Sequence, residues 1–384
     1  MGSAASIIKE ELSKPLDAAD LTTDAAKSEV IRLRALLQQE KTYNAVIVDC
    51  GSGHSGILCY QKKGESNIAQ TAKLSVRSQG NKNFTLTNVL IEGTYITFIN
   101  QLKSTLEENN ISLTQDLLYI GATGGVREAV EKGAVTNANV EAFREAITTT
   151  FSTIKTVKFA VLDAVEEEAR WELDAVQLIW GGSDSIEMFP LGLGGNSIGL
   201  FSGGGKSMQL AVADQPPRSF PFSTFVSEFE GEGNEEIWLD AKAWERYTAT
   251  MEQNIQAEML NHATKFKGNF VFTAMNHRAA MYSNFAERPI LVGEAIEMLR
   301  AALLEFRKGK GNIFEKMMSN RGSASSTYPL RRIASLHTFR LMSCLEQMFD
   351  VDSQLYFARK GKSGLECEWT LGCFSLFASG VGNS

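Results

Sequence analysis

The residues best suited to chemistry in this chain gather in two glycine-rich turns. The first runs Asp49-Cys50-Gly51-Ser52-Gly53-His54-Ser55-Gly56 and the second Ser202-Gly203-Gly204-Gly205-Lys206-Ser207. Glycines allow successive backbone N–H groups to converge on one concavity, and the Ser52 and Ser55 hydroxyls add donors, an arrangement that holds an anion such as phosphate. Asp49 repels phosphate directly, so its natural role is to hold a hydrated divalent cation. Magnesium suits that role, because it keeps several waters and takes one or two carboxylates. Either turn alone reads as a tight hairpin with a polar cap. Two in tandem, separated by a third glycine-rich turn at Gly121-Ala122-Thr123-Gly124-Gly125, point to phosphate binding.

Two sharper readings of the same residues fail. Gly205-Lys206-Ser207 suggests a Walker loop, but the glycine that motif requires falls at Leu200. A Cys50–His54 nucleophilic pair lacks a third group to orient the histidine. The acidic run Glu166-Glu167-Glu168 reads equally as a solvated helix face or as a source of a general base.

The elements that must position these turns are strands. Ala45-Val46-Ile47-Val48 is a buried-strand run leading into the first turn, and Ile57-Leu58-Cys59-Tyr60 leads out of it. Ser197–Phe201 and Met208–Val212 flank the second turn in the same way, and Leu117–Ile120 precedes the third. Helical spacing over Tyr95–Glu108 puts Ile96, Ile99, Leu102 and Leu106 on one face. Further helices are expected at Val140–Phe151, Ala241–Phe266 and Pro289–Arg307. Ser223–Glu236 reads as an acidic surface loop, and Lys308–Thr327 as a flexible segment. A last apolar segment begins at Glu368–Cys373.

At 384 residues the chain exceeds one comfortable core. The expected division is an N-terminal extension over 1–42, with Val30, Leu33 and Leu37 at helical spacing, then lobes over 43–180 and 181–384. A net charge of -7 argues against attachment to nucleic acid, which needs a basic face to displace counterions. Five cysteines with no CxxC pair fit a reducing compartment, and a cytoplasmic location is the expectation. Met1-Gly2-Ser3-Ala4-Ala5-Ser6 fits the N-myristoylation pattern, although a start of small residues reads as well. One acyl chain with only Lys9 and Lys14 nearby gives transient, peripheral membrane contact at most.

The segments together resemble the apyrase-type nucleoside phosphatases. Asp49–Tyr60 is similar to that family's first conserved segment, Tyr119–Arg127 to its second, and Glu167-Glu168-Ala169-Arg170-Trp171 to its third. Ser202–Gln209 is similar to the fourth, and Trp369-Thr370-Leu371-Gly372 to a closing Trp-Ala-Leu-Gly. The Glu-Glu-Ala-Arg run also resembles exopolyphosphatases, a sister group. The resemblance implies an α/β fold of two actin-like (ribonuclease H-like) lobes, mixed sheets flanked by helices, with a ligand cleft between them. It implies in-line attack of water on the terminal phosphate of a nucleoside tri- or diphosphate, assisted by Mg2+ or Ca2+ held through water. Glu167 is then the base, with Glu166 and Glu168 as rivals, and Ser207 and Gln209 hold the attacking water. Gly51, Ser52, His54, Ser55, Thr123, Gly124, Gly204, Gly205 and Lys206 line the phosphates, and Asp49 and Ser202 occupy the metal positions.

The pattern breaks at Ser202, where the family carries an aspartate, and at Lys206, within a loop of small residues. A neutral hydroxyl is a weaker ligand for a hard cation, whereas the Lys206 ammonium can partly replace its charge. The alternative to an enzyme is therefore a catalytically degenerate sensor that binds nucleotide or polyphosphate without turnover. An actin-like assembly role has no supporting feature.

Overall fold

The computed structural model describes residues 42–51, 53, 55–64, 67–76, 84–181, 189, 198–203, 207–212, 215–221, 241–259, 265–319, 327–361 and 363–380, with isolated helical positions at Asp24, Ala26, Ser28 and Arg32. The predicted stripe of Val30, Leu33 and Leu37, the acylation signal at Gly2 and the acidic segment 223–236 lie outside these residues. No described helix is long and apolar enough to cross a membrane. The chain divides into two compact units. One holds the described residues through Ala122, Ala129–Ala160 and those from Leu376 onward; the other holds Thr123–Glu128 and Val161–Ser375.

The first unit is built on a five-stranded sheet in the order β3-β2-β1-β4-β5. Its strands are β1 (Thr42–Cys50), β2 (Ser55–Lys63), β3 (Asn67–Val76), β4 (Leu117–Ala122) and β5 (Thr156–Val161). β1 and β4 are central, so their continuous apolar runs are covered on both faces; β3 alternates, as a strand with one wet face does. Helices α1 (Leu86–Ile91), α2 (Tyr95–Glu108) and α4 (Asn137–Thr150) accompany these strands, while α3 (Gly124–Glu131) belongs to the second unit as far as Glu128. In α2 the buried face keeps Ile99, Leu102 and Leu106 of the predicted stripe, while Phe98 takes the place of Ile96, which is half exposed. Phe98 rotates the helix inward because its ring packs between Phe84 and Phe143, with centroids 5.9 and 6.1 Å away.

Along the chain, β5 is followed by a π-helical turn, Ala164–Ala169, and α5 (Arg170–Trp180). The second unit's sheet has six strands in the order β10-β11-β9-β6-β7-β8. These are β6 (Ile198–Gly203), β7 (Ser207–Ala211), β8 (Arg218–Pro221), β9 (Asn269–Phe272), β10 (Pro289–Leu291) and β11 (Gln354–Phe357). Leaving out the β10 edge, the order read from β8 repeats that of the first sheet: third, second, first, fourth, fifth. In both, the opening pair is an antiparallel hairpin and the first and fourth strands run parallel. The helices are α6 (Ala241–Met259), α7 (Ala274–Tyr282), α8 (Val292–Lys308), α9 (Asn312–Ser319), α10 (Thr327–Met348) and α11 (Trp369–Ala378).

Three expectations are corrected here. The helix expected from Pro289 begins at Val292, because Pro289–Leu291 pairs antiparallel with Gln354–Tyr356. The helix expected through Phe266 is described as far as Met259, and Phe266 itself forms a bridge to Phe349. Part of the segment read as flexible is α9. Glu305 of α8 accepts from Ile313 N and Phe314 N at 2.7 and 3.1 Å, capping α9 from outside, while Phe314 and Met317 pack with Tyr282, Ala302 and Phe306.

Candidate functional site

In the first unit, strand register sets the first turn. Asp49 faces Gly56 across the β1–β2 hairpin and Gly121 across the parallel β1–β4 pair; Cys50 faces Ser55 and Ala122. Asp49 thus lies between two glycines at the ends of neighbouring strands. Ser55 is fully buried, its hydroxyl beside the Cys50 thiol. Burial pushes that thiol far above the ordinary cysteine range, which makes Cys50 inert as a nucleophile. Gly51 is half buried and Gly53 exposed. Ser52 and His54 lie outside the described residues.

The third turn opens α3. The Thr123 carbonyl accepts from Val126 N and Arg127 N at 3.1 and 3.2 Å, making Gly124 the first helical residue. Thr123 is buried. Arg127 meets the π-helical turn, and both belong to the second unit. Its Nη1 donates to the Leu162 carbonyl at 2.7 Å and to Glu168 Oε2 at 3.2 Å. Arg127 is absent from the residues proposed above, although it closes the second conserved segment; that position was the available signal.

The π-helical turn separates its three glutamates. Asp163 caps the turn, accepting from Val165 N and Glu166 N at 2.8 Å each, and its carboxyl is held below the usual range by those bonds. Glu167 returns the bond: its Oε2 accepts from Asp163 N at 2.9 Å. Its other oxygen makes no hydrogen bond among the described residues, and the residue is partly exposed. Glu166 points to solvent, 3.8 Å from Arg170. Glu168 is nearly buried against Arg127; burial raises its proton affinity and the guanidinium opposes the rise. Wider helical turns of this kind concentrate at functional sites, because the inserted residue re-aims its neighbours.

The turn packs against β7 and β8, which brings the glutamates to the hairpin that carries the second glycine turn. There Ser202 and Gln209 are direct cross-strand partners, and each is about 2% exposed. Gly203 faces Met208. Ser207 opens β7, its side chain outside the described part, as are Gly204, Gly205 and Lys206. Among the described residues, no three His, Cys, Asp or Glu side chains group as a metal cage.

The closing segment Trp369–Gly372 serves packing. The Trp369 ring lies 6.0 Å from that of Trp171, and a Cβ on Gly372 would stand 1.9 Å from the Trp171 carbonyl oxygen. Only glycine permits α11 to approach the start of α5 so closely.

No family model matches the sequence, and no curated protein sequence does. Solved structures do match. The PPX-GPPA enzyme of Aquifex aeolicus superposes with a TM-score of 0.53 at 13% identity, over 87% of this chain and 99% of that one. The type II variant of the Aquifex aeolicus Ppx/GppA phosphatase gives 0.52 at 14%, over 87% and 98%. An exopolyphosphatase-like protein gives 0.51 at 9%, over 88% and 98%. The fold is that of the Ppx/GppA phosphatases. The actin-like α/β class that the resemblance implied is therefore the class observed, and the Ppx/GppA likeness spans nearly the whole length of each neighbour.

Proposed function

We propose that this chain hydrolyses the terminal phosphate of a phosphoanhydride, either a nucleoside tri- or diphosphate or a polyphosphate chain, with Glu167 activating the attacking water. The observation that carries the reading is the division of labour in the π-helical turn. Glu168 is committed to Arg127 and Glu166 to solvent. Glu167 is held by one oxygen and presents the other. A base must be oriented and still have a lone pair to offer, and Glu167 alone of the three meets both conditions. Water's oxygen attacks the terminal phosphorus, its proton passes to Glu167, and the bridging P–O bond breaks to leave the shortened chain. Gln209 and Ser207 orient that water. Backbone N–H groups of the glycine turns, with Ser52, His54, Thr123 and Lys206, hold the phosphate oxygens, since positioning and charge neutralisation supply most of the rate in phosphoryl transfer. A divalent cation, when bound, supplies further neutralisation. Asp49 is the carboxylate suited to it, and Ser202 contributes no charge.

The neutral Ser202 favours the second reading, a sensor that binds the same ligands without turnover. Phosphate release from nucleotides and from polyphosphate, with magnesium, calcium or chelator, decides between them. Glu167→Gln is expected to lower turnover by at least about a hundredfold while leaving the melting temperature unchanged. Turnover within about twofold of the parent would remove Glu167 as the base. No turnover on any substrate, with ligand still raising the melting temperature, would establish the sensor.

A further inference from the structure

We propose that Asn276 is a positioning residue for the second glycine turn, supplying from its side chain the support that a neighbouring strand supplies to the first. This rests on the reading that the turn holds phosphate. In the first unit β4 accompanies β1 to its last residue, pairing Cys50 with Ala122, so the root of the first turn is flanked by strand on both sides. In the second unit the corresponding pair ends sooner. β9 matches β6 only as far as Phe201 opposite Phe272. Thr273 N adds one further bond, to the Phe201 carbonyl at 3.2 Å, and the chain then turns into α7. Ser202 and Gly203 are left with β7 on one side and no strand on the other.

Asn276 fills that place. It is about 2% exposed, and its Nδ2 donates to the same Phe201 carbonyl at 3.1 Å, occupying the second lone pair. A Cβ on Gly203 would meet the Asn276 amide at 3.1–3.2 Å, so the amide lies flat against the glycine that begins the turn. Its backbone is fixed as well, since Asn276 N donates to the Thr273 carbonyl at 3.1 Å. The corner between them holds Ala274 in the left-handed region at φ 53, a conformation unfavourable for a residue with a Cβ and maintained here by the bonds on either side. Four residues after the strand end, an asparagine thus stands where a ladder neighbour would be. A side chain can hold that geometry more tightly than solvent, and a displaced phosphate loop is costly to rate.

The test is a double-mutant cycle on the full chain with Asn276→Ala, Gly203→Ala and the pair, reading phosphate release per folded molecule, KM and melting temperature. Each single change is expected to lower kcat by roughly tenfold or more with a KM change of less than about threefold, because the loop is displaced and not removed. In the pair, Gly203→Ala is expected to add little, since the methyl occupies space that the missing amide vacates. Asn276→Asp, which keeps the shape but places no amide donor on the Phe201 carbonyl, is expected to fall with the alanine variant. A kcat for Asn276→Ala within about twofold of the parent, or single losses that multiply in the pair, overturns the proposal while leaving the phosphohydrolase reading intact. A parent chain that turns over no substrate defeats that reading and the proposal's catalytic part together. In that event the melting-temperature cycle still decides the brace: additive shifts reject it.

Discussion

At the scale of single residues, three adjacent glutamates have three different environments. Nothing in the run Glu166-Glu167-Glu168 distinguishes them, because spacing along a chain says only that one of three faces inward. The distinction comes from Asp163, which caps the turn and receives Glu167 in return, and from Arg127, which takes Glu168. Arg127 and Glu168 are 41 positions apart and mostly buried. Breaking such a pair leaves one charge poorly solvated, so Glu168→Gln is expected to cost about 3 kcal/mol in urea unfolding and to lower activity only through the fraction folded. Arg127→Met together with Glu168→Met is expected to recover part of that loss. A Glu168→Gln variant with full stability and no activity would instead make Glu168 the reacting carboxylate. The sequence had offered both it and Glu167.

At the scale of elements, the strands that carry the glycine turns were legible by their apolar runs beside the turns, and the turns themselves because glycine declares a backbone need. The short strands β9, β10 and β11 were not. A short run with three apolar side chains, such as Asn269–Phe272, reads alike as strand or helix, and Pro289–Leu291 is a strand only because β11 lies beside it. α9 was hidden for a related reason: its cap is Glu305, from another helix. The closing Trp369–Gly372 segment was legible as a motif, but not as to purpose. Its glycine lies against the Trp171 carbonyl, at the start of α5 directly after the π-helical turn. Gly372→Ala is expected to cost at least about 2 kcal/mol, since backbone on both sides must move. Circular dichroism with urea unfolding measures it; an unchanged midpoint would show that α11 can slide without strain.

At the scale of the whole molecule, stability should depend on pH through a buried histidine. His337 of α10 is about 8% exposed, and burial, with Arg340 and Arg278 nearby, lowers its pKa from the ordinary 6.5 to about 3. The folded chain therefore resists a proton that the unfolded chain accepts below about pH 6.5, and stability is lost as the pH falls from there toward 3. Each pH unit in that window costs about 1.4 kcal/mol from this group. Between pH 6.5 and 5, unfolding free energy is expected to fall by about 2 kcal/mol more in the parent than in His337→Gln. Equal slopes in the two would show that His337 is protonated in the fold.

By itself the sequence determined the local framework: two glycine turns between apolar strands, the amphipathic helices around them, and an acidic run able to supply a base. Those features follow from the φ,ψ freedom of glycine and the burial of consecutive apolar side chains, properties carried by neighbouring residues. Only the tertiary structure decided which glutamate is held and which is presented, that Arg127 belongs with them, and that Asn276 supports Gly203. Each of those depends on residues distant in the chain, 75 positions in the case of Asn276 and Phe201. Their meeting is set by strand order and register, and a one-residue change in where β9 ends would leave the same sequence motif with a different neighbour.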